Sequence, residues 1–265
     1  MFSRDILHQL GLMCLFFLCL AVLLSACLPT PTSTLPTISP TPEVIFETPT
    51  PTFVWFPPTP TFTPYPLPTA PDPTPDQRPG IGEVIFVDDF SDPDTWILES
   101  TESGSVAFGK NELTIAIQDA KAYLYSIRNE PYLDNFYTEI TASPTLCEDK
   151  DEFGMLLRVT PNLDFYRFSL SCDGYVRLDR LSGGQASSPQ PWLQSGAYPP
   201  GAPNVIRLGV WANGNELRFF INDQYQFAIQ DPLIPGGLLG VFARSTGGHP
   251  LTINFSDLAV YEIAP

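Results

Sequence analysis

The chain has 265 residues, with 29 acidic and 13 basic side chains, a formal net charge of −16 and 30 prolines. Its few Lys and Arg are scattered along the sequence, so it shows no basic patch to displace counterions, and neither nucleic acid nor an anionic lipid surface is an expected partner. More than half of the prolines lie between Cys27 and Gly80, which leaves roughly 185 residues beyond them for one folded core.

Arg4 and His8 fall within the first nine residues, and Leu10 to Leu24 is almost wholly apolar. This is the n-region and h-region order of a secretory signal. The run ends in Leu24-Ser25-Ala26-Cys27, which resembles the bacterial lipobox. The resemblance implies a signal peptide over 1–26, cleavage before Cys27 and a diacylglycerol, with palmitate-type chains, on the Cys27 thiol. Two acyl chains hold a protein on a membrane where one does not. The expected location is the outer face of a bacterial cell membrane, with the rest of the chain extracytoplasmic. The alternative is an uncleaved transmembrane helix over Ile6 to Leu28, which is long enough to span.

Residues 27–80 read as a lipid-anchored Pro/Thr-rich linker. Steps such as Pro49-Thr50-Pro51-Thr52 and Pro58-Thr59-Pro60-Thr61 repeat along it. Each Pro fixes φ and removes a donor, which excludes helix and central strand. An extended polyproline-like coil is expected, with a reach on the order of 100 Å. Phe46, Phe53, Trp55, Phe56, Phe62 and Tyr65 are unusual in a spacer and are candidates for contacts with wall polymer.

Residues 81–265 read as one all-β domain. Runs of β-formers recur about every ten residues: Val84 to Val87, Glu112 to Ile117, Ala122 to Ile127, Phe136 to Thr141, Phe153 to Val159, Phe165 to Cys172 and Tyr175 to Leu181. They continue at Val205 to Trp211, Glu216 to Ile221, Tyr225 to Ile229, Gly237 to Ala243, Leu251 to Phe255 and Leu258 to Glu262. Asn213-Gly214 and Asp173-Gly174 are hairpin turns, because these residues tolerate φ > 0. No amphipathic helix is evident. Many hairpin-linked strands imply an antiparallel β-sandwich or jelly roll. Tyr166, Phe168 and Leu170 should face the core, opposite Phe165, Arg167 and Ser169, and Ile206, Leu208 and Val210 should oppose Arg207 and Trp211. A long loop is expected from Gly183 to Pro203, because of Pro189, Pro191, Pro199 and Pro200.

Cys14 and Cys19 lie in the h-region, so Cys147 and Cys172 are the cysteines of the exported domain and one disulfide is expected between them. With Phe136–Thr141, Phe153–Val159 and Phe165–Cys172 running back and forth as neighbours, both cysteines arrive at the same end of the sheet.

The order Asp88-Asp89-Phe90-Ser91-Asp92 … Trp96, Phe153-Gly154-Met155-Leu156-Leu157-Arg158, Tyr166-Arg167-Phe168 and Cys172-Asp173-Gly174-Tyr175 resembles the concanavalin A-like lectin/glucanase superfamily, in particular its laminin G-like and keto-disaccharide hydrolase-like domains. Asn204-Val205-Ile206-Arg207-Leu208, Phe220-Ile221-Asn222-Asp223 and Gly237-Leu238-Leu239-Gly240 continue the likeness to Ile263. These are hairpin and packing patterns, and they speak to fold rather than function.

The glucanases of that superfamily carry Glu-x-Asp-x-Glu on one strand, which sets carboxylates on one face for acid and nucleophile roles. Here the nearest run, Glu148-Asp149-Lys150-Asp151-Glu152, has Lys150 in the middle and reads as a solvated acidic loop. His249, in Gly247-Gly248-His249-Pro250, has no evident nucleophile or acid beside it and reads as a turn residue. Asp88, Asp89, Asp92 and Asp94 are oxygen donors suited to Ca²⁺ but lack EF-hand spacing, so no cofactor is expected apart from a weak case for calcium. Sugar C–H faces stack on exposed rings. Trp192, Tyr198 and Trp211 are therefore the glycan-binding candidates, with Asp179, Asn213 and Asn215 as polar partners. Trp192 could equally seal the sandwich edge. The leading expectation is a non-enzymatic module for polysaccharide or cell-wall glycan, ahead of a glycosidase-like enzyme and a protein-adhesion module.

Overall fold

A computed structural model describes residues 75–264. The expected signal peptide (1–26), Cys27 and nearly all of the expected linker lie outside the described residues.

Fifteen strands are present among the described residues: β1 Ile81–Asp88, β2 Ser100–Thr101, β3 Gly104–Phe108, β4 Leu113–Ile117, β5 Tyr123–Ile127, β6 Phe136–Leu146, β7 Glu152–Val159, β8 Phe165–Ser171, β9 Tyr175–Ser182, β10 Gln185–Gln194, β11 Ile206–Asn213, β12 Glu216–Ile221, β13 Gln224–Gln230, β14 Leu238–Arg244 and β15 Leu251–Ile263. A short 3-10 turn spans Pro93–Thr95. A nine-stranded sheet runs β13-β12-β11-β6-β15-β4-β3-β2, with β1 also on β15, and a six-stranded sheet runs β10-β9-β8-β7-β14-β5. The pairs are antiparallel, so the fold is the expected β-sandwich of jelly-roll type.

The alternation read from the sequence sets the core. Tyr166, Phe168 and Leu170 of β8 and Ile206, Leu208 and Val210 of β11 point between the sheets and are buried. Phe168 meets Phe219 of the opposite sheet at 4.8 Å between ring centroids. Burying a side chain of this size contributes about 1.5–3 kcal/mol. The far face of the six-stranded sheet is not a simple solvent face. Ile127, Leu156, Val159, Phe165 and Phe242 form a second buried cluster there.

Four elements differ from the sequence expectation. β2 and β3 are missing from it, β2 because it is two residues long and β3 because Gly104 and Ser105 leave a short run with little β signal. The two final strands are one, β15, broken in register between Ser256 and Ala259 where Asp257 takes φ 52°. Most consequential is Gly183 to Pro203: it begins as strand β10, turning from β9 through Gly183 and Gly184 at φ 58° and 75°. β10 is an edge strand bonded only to β9, so Pro189 and Pro191 are tolerated, and the pairing slips on either side of Gln190.

Cys147 and Cys172 are bonded, with Cα atoms 5.7 Å apart. The sequence places them at one end of a single sheet. In the structure β6 and β7 belong to opposite sheets, so the bridge ties the two layers together.

Residues 76–80, the described end of the expected linker, pack on the outer face of the nine-stranded sheet. Pro79 O accepts the Trp211 indole N–H at 2.9 Å, and Gln77 O accepts from Arg218 at 3.0 Å. The Arg78 guanidinium lies 5.7 and 5.2 Å from the Tyr137 and Phe220 ring centroids and pairs with Asp223 at 2.7 Å.

Candidate functional site

Strand register builds a patterned surface on the outer face of the six-stranded sheet. One row across the sheet reads Tyr125, Phe242, Gly154, Ser169, Arg177. The rows on either side read Tyr123, Arg244, Glu152, Ser171 and Ile127, Gly240, Leu156, Arg167, Asp179. In the central row small residues, Gly154 and Ser169, occupy the middle strands, between the aromatic rings of Tyr125 and Phe242 and the charge of Arg177. Gly154 cannot be replaced: its φ is 153°, and a Cβ would stand 2.0 Å from Phe168 O.

An ion-pair lattice crosses this face. Arg177 Nη2 lies 3.4 Å from Glu152 Oε2 and 2.8 Å from Asp179 Oδ2. Arg167 pairs with Asp179 at 2.6 Å, and Arg244 with Glu152 Oε1 at 3.3 Å. Ser188 of β10 donates to Asp179 Oδ1 at 2.5 Å. The Arg167 guanidinium lies 5.7 and 5.6 Å from the Tyr123 and Phe242 ring centroids. Arginine suits such a place, because its planar fork pairs and stacks at once.

The lattice is not self-sufficient. Among the described residues five buried side-chain polar atoms lack a partner, and four of them are here: Tyr123 Oη, Arg167 Nε, Ser169 Oγ and Arg177 Nε. Each such atom costs about 1–3 kcal/mol unless a buried water supplies the partner. Burial pushes the Tyr123 phenol up to about 12, so it is a neutral O–H at physiological pH.

Trp192 of β10 closes one end of the face. The Arg177 guanidinium sits 4.5 Å from its ring centroid, and the residue remains 38% exposed. It lines a cavity of about 460 Å³ with Lys150, Glu152, Ser171, Asp173, Tyr175 and Thr246. That volume falls within the ~300–1,000 Å³ of ligand clefts.

The other residues named from sequence go elsewhere. Tyr198 is 5% exposed and donates its hydroxyl to Ser171 O and Tyr175 O, both at 2.9 Å. Trp211 is 4% exposed on the other sheet, beneath Pro79 and with the Arg218 guanidinium 4.5 Å from its ring centroid. Neither presents a ring to solvent. Asn213 and Asn215 sit at the β11–β12 hairpin, on the other sheet. Asp179 does share the face with Trp192, through Arg177.

The aspartates weighed for Ca²⁺ have other work. Asp88 accepts from Phe90 N, from the Trp96 indole and from Arg128, which fixes the start of the domain. Asp89 accepts from the backbone and hydroxyl of Ser91, which hold its carboxyl below the usual range, and Asp92 caps the 3-10 turn. No metal-holding group of three or more His, Cys, Asp or Glu occurs among the described residues. His249 is an exposed side chain 3.4 Å from Glu148.

The run 148–152 is only half the expected solvated loop. Glu148, Asp149 and Lys150 are exposed, but Asp151 and Glu152 are buried. Asp151 accepts from Thr246 N at 2.8 Å, and Glu152 opens β7 inside the lattice. Sequence reading therefore missed Glu152, Tyr123, Arg167, Arg177 and Arg244 as site residues. One signal was legible: in Arg167-Phe168-Ser169 and Arg177-Leu178-Asp179, charged or polar residues fill the non-core positions of strands central to the domain.

No protein-family model matches the chain, and no curated protein matches its sequence. Solved structures do match in shape. A Bacillus subtilis protein of unknown function with a galectin-like fold has TM-score 0.54 and 13% identity, covering 70% of this chain and 99% of that one. The carbohydrate-binding module CBM66 from Bacillus subtilis has TM-score 0.51 and 13% identity, covering 63% and 96%. The laminarinase catalytic domain from Thermotoga maritima MSB8 has TM-score 0.51 and 11% identity, covering 69% and 99%. At these identities the likeness is one of fold: the chain shares with these proteins a two-sheet antiparallel β-sandwich of jelly-roll type.

Proposed function

We propose that this chain is a surface lipoprotein, anchored through Cys27 and carried on its Pro/Thr-rich linker, whose β-sandwich binds glycan without cleaving it. The observation that carries the proposal is the outer face of the six-stranded sheet. It joins an accessible indole and a cleft of ligand size lined by the polar side chains of Lys150, Glu152, Ser171, Asp173 and Tyr175. Indole for the sugar's C–H face and polar groups for its hydroxyls are what a saccharide requires. Two of the fold neighbours are named as a carbohydrate-binding module and a laminarinase catalytic domain, which supports the same reading.

One observation favours hydrolysis as a second reading. Glu152 and Asp179 are two buried carboxylates that meet the same guanidinium nitrogen, and glycosidases work with such pairs. All four oxygens are engaged, however: Glu152 by Arg177 and Arg244, Asp179 by Arg167, Arg177 and Ser188. None is left free as proton donor or nucleophile.

The test is a glycan array with the mature chain carrying Cys27→Ser, followed by a reducing-end assay on each glycan bound. Binding without release of reducing ends is expected. Release would establish the hydrolytic reading, and an array without hits would remove both. Mass spectrometry of the native N-terminus checks the anchor: an acylated Cys27 is expected, and an intact Met1 start in membranes would establish the transmembrane alternative.

A further inference from the structure

We propose that the cleft beside Trp192 continues into a second compartment at the end of the sandwich, so that the module binds several consecutive units of a polysaccharide without acidic groups; the proposal rests on the glycan-binding reading above. A second cavity, of about 610 Å³, lies against the Cys147–Cys172 bridge. The two cavities meet at Asp173, in the β8–β9 turn, which lines both. Two other connections also serve both. The one between β6 and β7 gives Lys150 to the first cavity and Glu148 to the second, and the one between β14 and β15 gives Thr246 to the first and His249 to the second. Each volume falls within the ~300–1,000 Å³ of clefts that take one small ligand, so the pair offers room for more than one sugar unit.

The walls of the second compartment are fixed to one another. The disulfide ties the β6–β7 connection to the β8–β9 turn. Asp151 is buried and accepts from Thr246 N at 2.8 Å and Gly247 N at 3.4 Å, which holds the β14–β15 connection. Its carbonyl accepts from Cys172 N at 3.0 Å, and Cys172 O accepts from Gly201 N at 2.7 Å, which sets the remaining wall. Walls arranged in advance lose little freedom when a ligand arrives. The lining also selects by charge. Among the described residues lining the two cavities, Lys150 is the one Lys or Arg, against the carboxylates of Glu148, Asp149, Glu152 and Asp173. An acidic chain is repelled there, whereas a hydroxyl-bearing one finds acceptors. At the junction Asp173 takes the Ser171 hydroxyl through one oxygen only, and its other oxygen has no partner among the described residues. Trp192 takes one sugar ring in the first compartment, and the chain passes Asp173 into the second.

The test is calorimetry of the mature Cys27→Ser chain with cello-, laminari-, xylo- and galacto-oligosaccharides of two, four and six units, and with hexagalacturonate. For each sugar that binds, the hexasaccharide should bind about thirtyfold or more tightly than the disaccharide, the gain from about two further hydrogen bonds. Hexagalacturonate should bind more weakly than the best neutral hexasaccharide. His249→Trp and Glu148→Trp, at side chains 60% and 61% exposed, fill the second compartment and should each remove most of the gain with length, with folding checked by a melting curve. Equal affinity for two and six units overturns this proposal and leaves the glycan reading standing. So does a gain with length that both folded variants keep, because the extra registers of a longer chain then explain it. Tighter binding of hexagalacturonate overturns the exclusion of acidic chains. No binding of any oligosaccharide here or on the array overturns both readings.

Discussion

The guanidinium of Arg177 lies 4.5 Å from the ring centroid of Trp192 while also touching Glu152 and Asp179. One side chain therefore couples the exposed aromatic of edge strand β10 to the charged lattice of the inner strands. A ring held this way loses less freedom when a sugar stacks on it. Arg177→Lys keeps the charge but loses the planar stack. It should weaken glycan binding by about 1 kcal/mol, read by calorimetry. Unchanged affinity would mean that the stack does not position Trp192.

Tyr123→Phe separates stability from binding. The Tyr123 hydroxyl is buried without a partner, so its removal should leave the melting temperature unchanged or raise stability by about 1 kcal/mol. The hydroxyl is shut off from solvent and lies outside the cavity lining, so glycan affinity should stay unchanged in the same variant. A fall in melting temperature would show that the hydroxyl has an internal partner after all.

The boundary of the folded domain can be checked by truncation. A chain beginning at Gly82 loses Arg78 and Pro79 and leaves the Trp211 indole N–H unpaired beside Tyr137 and Phe220. It should be less stable than a chain beginning at Asp76 by about 1–3 kcal/mol. Equal urea midpoints would show that this segment does not contribute.

The disulfide closes a separation of 25 residues across the two sheets. Replacing both Cys147 and Cys172 by Ala should cost about 3 kcal/mol, measured by urea unfolding. An effect below about 1 kcal/mol would place both cysteines outside the set of residues that hold the sandwich closed.

How far the sequence carried the account differs between fold and site. Alternation in Phe165–Cys172 and Val205–Trp211 identified core faces correctly, because core burial acts on each strand by itself. β10 was hidden because Ser188, Pro189 and Pro191 are poor strand formers, and only its edge position makes them acceptable. Trp192 was named, but as a loop residue. Its partners come from β5, β7, β8, β9 and β14, and only pairing register sets Arg244 beside Glu152 or Ser169 beside Arg177. Trp211 and Tyr198 show the converse. An aromatic is legible in a sequence, but whether its ring is covered depends on distant residues such as Pro79 and Ser171.

The central claim is that Trp192 is the platform of a glycan site. It is tested most directly by calorimetry of wild type and Trp192→Ala against the best ligand from the array, each protein also carried through a melting curve. The expected result is binding weakened by about 1–2 kcal/mol with the melting curve preserved. Unchanged affinity with an intact fold would contradict the claim, and a collapsed melting temperature would make Trp192 a seal on the sandwich edge instead.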